Sequence, residues 1–382
     1  MTKYLKFIII SFFFLISCKK NTKDYDTKII GDWQLIENQK MQYDEQGHPL
    51  PPPPLWYLGN LKPGYSFKEN DIYDNKLGFY KRIKKTKTHG SYNFFLGNKS
   101  KYKIKNDSLK LFDLSSNTWD SYKISSITSD TLTILGSDAK PTQFLKKKYV
   151  IDNTANFDNV IISSSGCYGN CPVSSVLINK NGSIIYNGLF YTYPKGLYQS
   201  SFNPKLFTKI ETDFQKTNWK KLNDRYIASH TDDETITITF IKNNKIIKTI
   251  TDYGNESPTE FCWTYTPLRF FYQKLKLRKI NHNRNYLNFR DITFEAKDQE
   301  CALTDSESFY LMTFLLNAKE NVFNFEKKYT IKYWSNDVYK YIFSDGQYFQ
   351  FRLENGKQIT LDLGYNFLEK NDLMQRFVKK GN

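Results

Sequence analysis

Apolar and polar positions alternate differently in successive stretches of the chain, and each stretch predicts its own elements. The first is an unbroken apolar run from Phe7 to Ile16 behind Lys3 and Lys6. About ten residues fall short of the ~20 that span a bilayer, but they suit the hydrophobic region of an export signal. A polar stretch from Lys19 to about Lys28 reads as a tether. From Ile29 to Lys148 the pattern has period two in short runs: "IIGDWQLIE", "YSFKEND" (Tyr65 to Asp71), "GSYNF" (Gly90 to Phe94), "YKIKNDSLKLFD" (Tyr102 to Asp113) and "YKISSITSDTLTIL" (Tyr122 to Leu135). Turn residues such as Asn106-Asp107 and Ser129-Asp130 separate them, as an up-and-down barrel requires. Pro51 to Pro54 interrupt this region and predict a stiff polyproline spacer.

Between Asn156 and Arg278 strands and helices mix. "NVIISSSG" reads as a strand, and "VSSVLI" and "SIIYNG" flank Asn181-Gly182, a strong hairpin signal. In "NPKLFTKIETDFQKTNW", Leu206, Phe207, Ile210 and Phe214 fall at helical spacing after Asn203-Pro204. "TITITFIKNNKIIKTITDY" is a second hairpin turning at Asn243-Asn244, and "SPTEFCWTYTPLRFFYQKL" a second helix, kinked or broken near Pro267. Strands followed by helix, given twice, predict helices on one face of an antiparallel sheet. Beyond it come "YLNFRDITFEA", the helix "SESFYLMTFLLNAKE" and a meander turning at Asn336-Asp337, Asp345-Gly346 and Asn355-Gly356. The expected fold is mainly β and α+β: an antiparallel β-barrel over 29–150, an α+β domain over 156–278 and a second α+β unit over 285–375, both with antiparallel sheets.

Three resemblances add to this pattern. Leu15-Ile16-Ser17-Cys18 resembles the bacterial lipobox, where a signal peptidase cuts before the cysteine and its sulfur is acylated. The resemblance implies a signal peptide over 1–17, a lipidated tether over 18–28 and Cys18 as the attachment site; more than one acyl chain makes such attachment stable. Lys19 and Lys20 occupy the place of an inner-membrane retention aspartate, and the acidic residues that mark surface export in some bacterial groups are absent there. The expectation is an outer-membrane lipoprotein facing the periplasm. The Gly31-Asp32-Trp33 opening, with the short strands after it, resembles small lipocalin-like domains of bacterial lipoproteins. Such a barrel has an interior filled by side chains or holding a small ligand. Finally, Cys167, Tyr168, Gly169, Cys171 and Pro172, with Thr231-Asp232, Asp252-Tyr253 and Pro258, closely resemble a bacterial domain family of unknown function marked by a Cys-aromatic-Gly-x-Cys-Pro turn. Ser174 departs from the tyrosine common in that family, which implies no known activity.

Charge changes the picture little. The formal net charge is +16, but lysines are spread among Asn, Asp and Tyr, whereas phosphate-backbone binding gathers them on one face. No nucleic acid is expected as a partner of an exported chain. The densest basic run, "YKRIKKTKTH" from Tyr80 to His89, reads as a solvated loop, with contact to anionic headgroups or another polyanion as the alternative.

The candidate chemistry centres on Cys167 and Cys171. Exported chains oxidise, and a tight turn can bring the two Cα atoms within the roughly 4.4–6.8 Å that a disulfide needs. A structural disulfide is therefore expected. A thiol–disulfide catalyst would place Cys-x-x-Cys at a helix N-terminus, whereas here the spacing is one longer and a strand follows. Zinc would use paired knuckles, while Cys262 and Cys301 stand alone, as an interdomain disulfide or as buried free thiols. No Gly-x-Ser-x-Gly, His-Glu-x-x-His or phosphate loop occurs. His48, His89, His230 and His282 are scattered; in "SHTDDET" His230, Asp232 and Asp233 offer an acid/base pair or divalent-ion site, against a loop that bonds its own backbone. The expectation is a non-enzymatic binding or interaction module without cofactor. Its partners would be the membrane, through the N-terminal lipid, and an apolar small ligand or an envelope protein. The alternative is a periplasmic thiol-redox or metal-binding protein acting through Cys167 and Cys171.

Overall fold

The computed structural model describes residues 22–36, 61–87, 89–137, 139–281, 284, 287, 290–321, 324–335, 338–353 and 355–380. The export run, Cys18, His48, Pro51 to Pro54, His282 and the Asn336-Asp337 turn lie outside them. The chain forms two compact units. Met1–Lys40, Pro63–Phe79 and Asn98–Lys148 belong to the first, and Met41–Lys62, Tyr80–Gly97 and Tyr149–Asn382 to the second.

A closed barrel, most of it in the first unit, takes its strands in sequence order: β1 (Gly31–Ile36), β2 (Gly64–Lys68), β3 (Ile72–Ile83), β4 (Tyr92–Lys105), β5 (Ser108–Asp113), β6 (Thr118–Ile127), β7 (Thr131–Leu135) and β8 (Pro141–Lys146). Antiparallel β1 and β8 close it, with Trp33 opposite Lys146. The runs of period two become strands with one buried face. β3 corrects the loop expected at Tyr80 to His89: Tyr80–Ile83 continue this strand, and only the residues after them leave it. Lys81 and Arg82 stay exposed there, so a barrel strand accommodates them without burying charge. Within the span expected as a tether, Thr22–Lys28 forms a short helix, α1.

Side chains fill the barrel interior. Trp33, Phe67, Tyr73, Leu109, Leu111, Ile124, Leu132, Ile134 and Phe144 are buried. Phe67 meets Tyr65, Tyr73 and Tyr102 at ring-centroid separations of 6.0, 5.9 and 5.0 Å, the range of favourable aromatic pairs. Trp33 Nε1 donates to the Ile29 carbonyl at 2.6 Å, and the Lys146 ammonium lies 5.1 Å from its ring centroid.

In the second unit the expected α+β spans each build a sheet. The first contains β9 (Asn159–Ser164), β10 (Val173–Asn179), β11 (Ser183–Phe190), β12 (Gly196–Ser201), β13 (Arg225–Ile227), β14 (Thr235–Lys242), β15 (Lys245–Tyr253) and β16 (Arg278–Lys279), in the order β13-β15-β14-β9-β10-β11-β12-β16. Both hairpins turn where predicted, and Asn243 and Asn244 carry the positive φ values, 52° and 56°, that such a turn demands. β13 departs from the expected antiparallel pattern by pairing parallel with β15.

The helix α2 (Lys205–Gln215) buries Phe207, Ile210 and Phe214, as its spacing predicts, while Leu206 stays exposed. Phe214 packs edge-on against Phe240 of β14 at 5.0 Å. The helix α3 (Thr259–Arg269) runs through Pro267 and ends two residues later. β9 is buried at all six positions because the opposite face is covered as well, by α4 (Asp305–Leu315) from the next span.

The second sheet contains β17 (Arg290–Ala296), β18 (Gln299–Ala302), β19 (Lys319–Asn321), β20 (Tyr329–Ser335), β21 (Val338–Ser344), β22 (Tyr348–Arg352), β23 (Gln358–Asp362) and β24 (Val378–Lys379). Its order is β19-β23-β22-β21-β20-β17-β18-β24, and the short helix α5 (Phe367–Lys370) follows β23. α4 touches β9, β10 and β14 on one side and β17 on the other. A helix apolar on all faces is stable only when buried all round, and α4 joins the two sheets into one core with Ile161, Ile241, Phe294 and Leu311.

Candidate functional site

Cys167 and Cys171 form a disulfide with a Cα separation of 5.6 Å. Gly169 between them has φ 152°, a conformation that a residue with a Cβ rarely adopts. The turn is fastened to the loop before β14. Ser165 N–H donates to Thr235 O at 2.9 Å and Tyr168 N–H to Asp232 O at 3.0 Å, while Thr235 N–H donates to Ser165 Oγ at 2.8 Å. The Tyr168 side chain is 89% exposed. Buried Arg269 grips Glu234 through both terminal nitrogens, at 2.7 and 2.5 Å. These two residues, the turn, Tyr80 and Arg82 line a cleft of about 480 Å³. Burial pushes the Tyr80 hydroxyl up to about 12, so it stays neutral.

Cys262 and Cys301 are both free and buried, which settles the alternative between bridge and thiols in favour of thiols. Burial, reinforced by Asp252, pushes the Cys262 thiol well above its ordinary range, and burial pushes Cys301 up to about 11. Neither is poised as a nucleophile, since the thiolate is the reactive form. Cys262 belongs to a knot around Asp252, which is fully buried. That carboxylate accepts from Glu256 N–H at 2.7 Å, Ser257 N–H at 3.1 Å, the Tyr265 hydroxyl at 2.8 Å and the Ser257 hydroxyl. These bonds satisfy a buried charge and fix the chain where it enters α3.

A cleft of about 1210 Å³ opens along β14, β15 and the start of α4. Thr235, Thr237, Thr249 and Thr251 line one wall. Thr237 stands opposite Thr251 in the β14–β15 register, which puts their hydroxyls on a common face. The α4 N-terminus carries a capping box between Thr304 and Glu307. Fully buried Glu307 accepts from Thr249 Oγ1 at 2.7 Å, Thr304 N–H at 3.0 Å and Arg376 Nη1 at 2.8 Å. Asp305 lies at the same cleft with Asp291. Burial, then the charge and hydrogen bond of Asp291, push the Asp305 carboxyl up to about 6, against the opposing pull of Arg290. Asp291 itself is exposed, with Arg290 Nε 3.7 Å from its carboxylate, and a carboxyl raised by burial and a neighbouring like charge in a cleft is a functional-site signature.

The sequence reading singled out none of these cleft residues. Asp291 and Asp305 are carried by a strand and a helix that only the fold juxtaposes. The available signal was the alternation in "DDETITITF", where Thr235, Thr237 and Thr239 share one face of β14. Of the residues that were singled out, His230 Nε2 lies 3.2 Å from Asp233 Oδ2, while Asp233 accepts from the Glu234 N–H at 2.7 Å and Asp232 carries the Tyr168 bond. This is a loop that bonds its own backbone. Among the described residues, no group of three His, Cys, Asp or Glu is placed to hold a metal ion, and no helix is long and apolar enough to cross a membrane.

Residues 158–272 match the family described as Domain of unknown function (DUF6438). The matched span holds the disulfide turn, the Glu234–Arg269 pair and the Asp252 knot. No curated protein matches the chain.

Proposed function

We propose that the chain is a lipid-anchored envelope protein that works by binding, with the 1210 Å³ cleft of the second unit as its ligand site. The lipobox-like Leu15-Ile16-Ser17-Cys18 supports attachment through Cys18, and Lys19-Lys20 supports an outer-membrane location facing the periplasm. The observation that carries the binding role is the meeting, in one large cleft, of a threonine wall with the Asp291–Asp305 carboxyl pair. Large concave sites with a few convergent polar groups are the usual ligand sites. Hydroxyls and two neighbouring carboxyls favour a polar ligand rich in hydroxyl or amino groups.

Native mass spectrometry of the full chain isolated from its envelope tests the proposal. Wild type should retain a small-molecule adduct that Asp291→Asn/Asp305→Asn loses while its melting temperature stays within a few degrees. The same adduct on both proteins, or none on either, would overturn it.

A further inference from the structure

The basic run from Tyr80 to His89 acquires partners in the fold. Lys85, Lys87 and His89 line a cleft of about 500 Å³ together with Tyr193, Lys195 and Tyr198, all within the second unit. The run is held there by its neighbours. Tyr80 packs edge-on against Phe270 at 5.4 Å, Phe95 N–H donates to Gln273 Oε1 at 2.7 Å, and Thr86 N–H donates to His89 O at 2.9 Å. The other wall is equally fixed. Buried Thr192 shares hydrogen bonds with the Tyr272 and Tyr186 hydroxyls at 2.6 and 2.8 Å. Tyr193 stacks on Tyr92 at 5.5 Å and touches the His89 ring at 5.1 Å. Lys279 of β16 stands directly opposite Tyr198 of β12, so it projects from the same face of the sheet.

The charge in this cleft is of one sign. No carboxylate is among the described residues that line it, and Lys85, Lys87 and Lys195 have no ion-pair partner among the described residues. Like charges gathered without counter-charge repel one another, and a compact anion that accepts from several ammonium groups relieves that repulsion. Tyrosine rings at the rim supply faces for the carbon part of such a ligand and hydroxyls for its oxygens.

We infer that this lysine–tyrosine cleft binds a phosphate-bearing anion. The group could be presented by an anionic lipid headgroup or by a soluble phosphate ester. The inference is independent of the ligand proposed for the larger cleft, because the two sites share no residue.

The test uses the full chain with Cys18→Ser, so that acylation does not itself deliver the protein to a bilayer. Co-sedimentation with neutral phosphatidylcholine vesicles and with vesicles containing phosphatidylglycerol is measured beside calorimetric titration with inorganic pyrophosphate. At about a factor of five for each lysine near an anionic surface, Lys85→Gln/Lys87→Gln should weaken binding roughly 30-fold. Lys101→Gln/Lys110→Gln, which removes equal charge from the exposed barrel surface, should weaken it less than threefold. Vesicle binding without pyrophosphate binding assigns the headgroup as the source, and the reverse assigns a soluble ester. Equal weakening by the two double variants, or no binding in either arm, would overturn the inference.

Discussion

The barrel and the second unit are both rich in strands, yet they spend their interiors differently. Inside the barrel, Trp33, Phe67, Tyr73 and Phe144 are buried, with Phe67 stacked on Tyr73 and Tyr65 against Phe144. Inside the second unit, Asp252, Glu307 and Arg269 are buried as well, each held by hydrogen bonds or an opposite charge. Burying charge is costly unless it is paired, so a fold that retains several such groups has been shaped by something besides stability. The clefts with converging chemistry lie among those groups. A self-filled barrel thus reads as a stable module, and the polar second unit carries the clefts on which the proposed binding role rests.

The largest expected effect breaks the barrel side of this contrast. Trp33→Ala removes a fully buried ring and should cost about 3–5 kcal/mol in urea unfolding, without altering the adduct carried by surviving folded protein. A cost below about 1 kcal/mol would show that the barrel interior is not the packed core described. Arg376→Ala attacks the other side by leaving Glu307, 0% exposed, as a buried carboxylate without its cation. About 3 kcal/mol should be lost, measured by the same denaturant curve.

The carboxyl pair sharpens the comparison through pH. Asp305 is raised from 3.8 to about 6, so between those values the folded state holds a proton that the unfolded chain has released. Stability must therefore fall as pH rises through about 4 to 6, by about 3 kcal/mol, and level off above. Asp305→Asn should flatten that slope. An unchanged slope in the variant would mean that burial does not raise the Asp305 carboxyl in the folded state.

The smallest effect concerns the disulfide. Cys167→Ser/Cys171→Ser opens a loop of sequence separation 4 and should cost about 2 kcal/mol on chain-entropy grounds, with the adduct of the larger cleft retained. Loss of that adduct in a variant that still folds would bring the thiol chemistry of the turn back into the function.

What could be read from the residues follows the range of the forces involved. Hairpins at Asn181-Gly182 and Asn243-Asn244 are local, because two residues set the turn, and the disulfide turn is local for the same reason. α2 was legible from four apolar positions at helical spacing, since one face of it meets a core. β3 was not legible because the lysines in "YKRIKK" suggest solvent, whereas the strand runs on to Ile83 with Lys81 and Arg82 exposed at its end and Tyr73 and Phe79 buried. The shared core of the second unit could have been anticipated: after its polar first turn, "FYLMTFLL" places apolar residues around the whole circumference of the helix, which a helix on the surface of one sheet would not need. Asp291 beside Asp305 could not, because their proximity comes from the packing of β17 against α4 and leaves no local trace.

Peptide-resolved hydrogen–deuterium exchange of the full chain, with and without a detergent-free extract of its envelope, tests most directly whether recognition belongs to the polar unit. Slowed exchange in residues 235–251 and 302–307, with unchanged exchange in residues 31–36 and 64–68, is the predicted result. Protection confined to the barrel strands, with the β14, β15 and α4 segments unaffected, would contradict it.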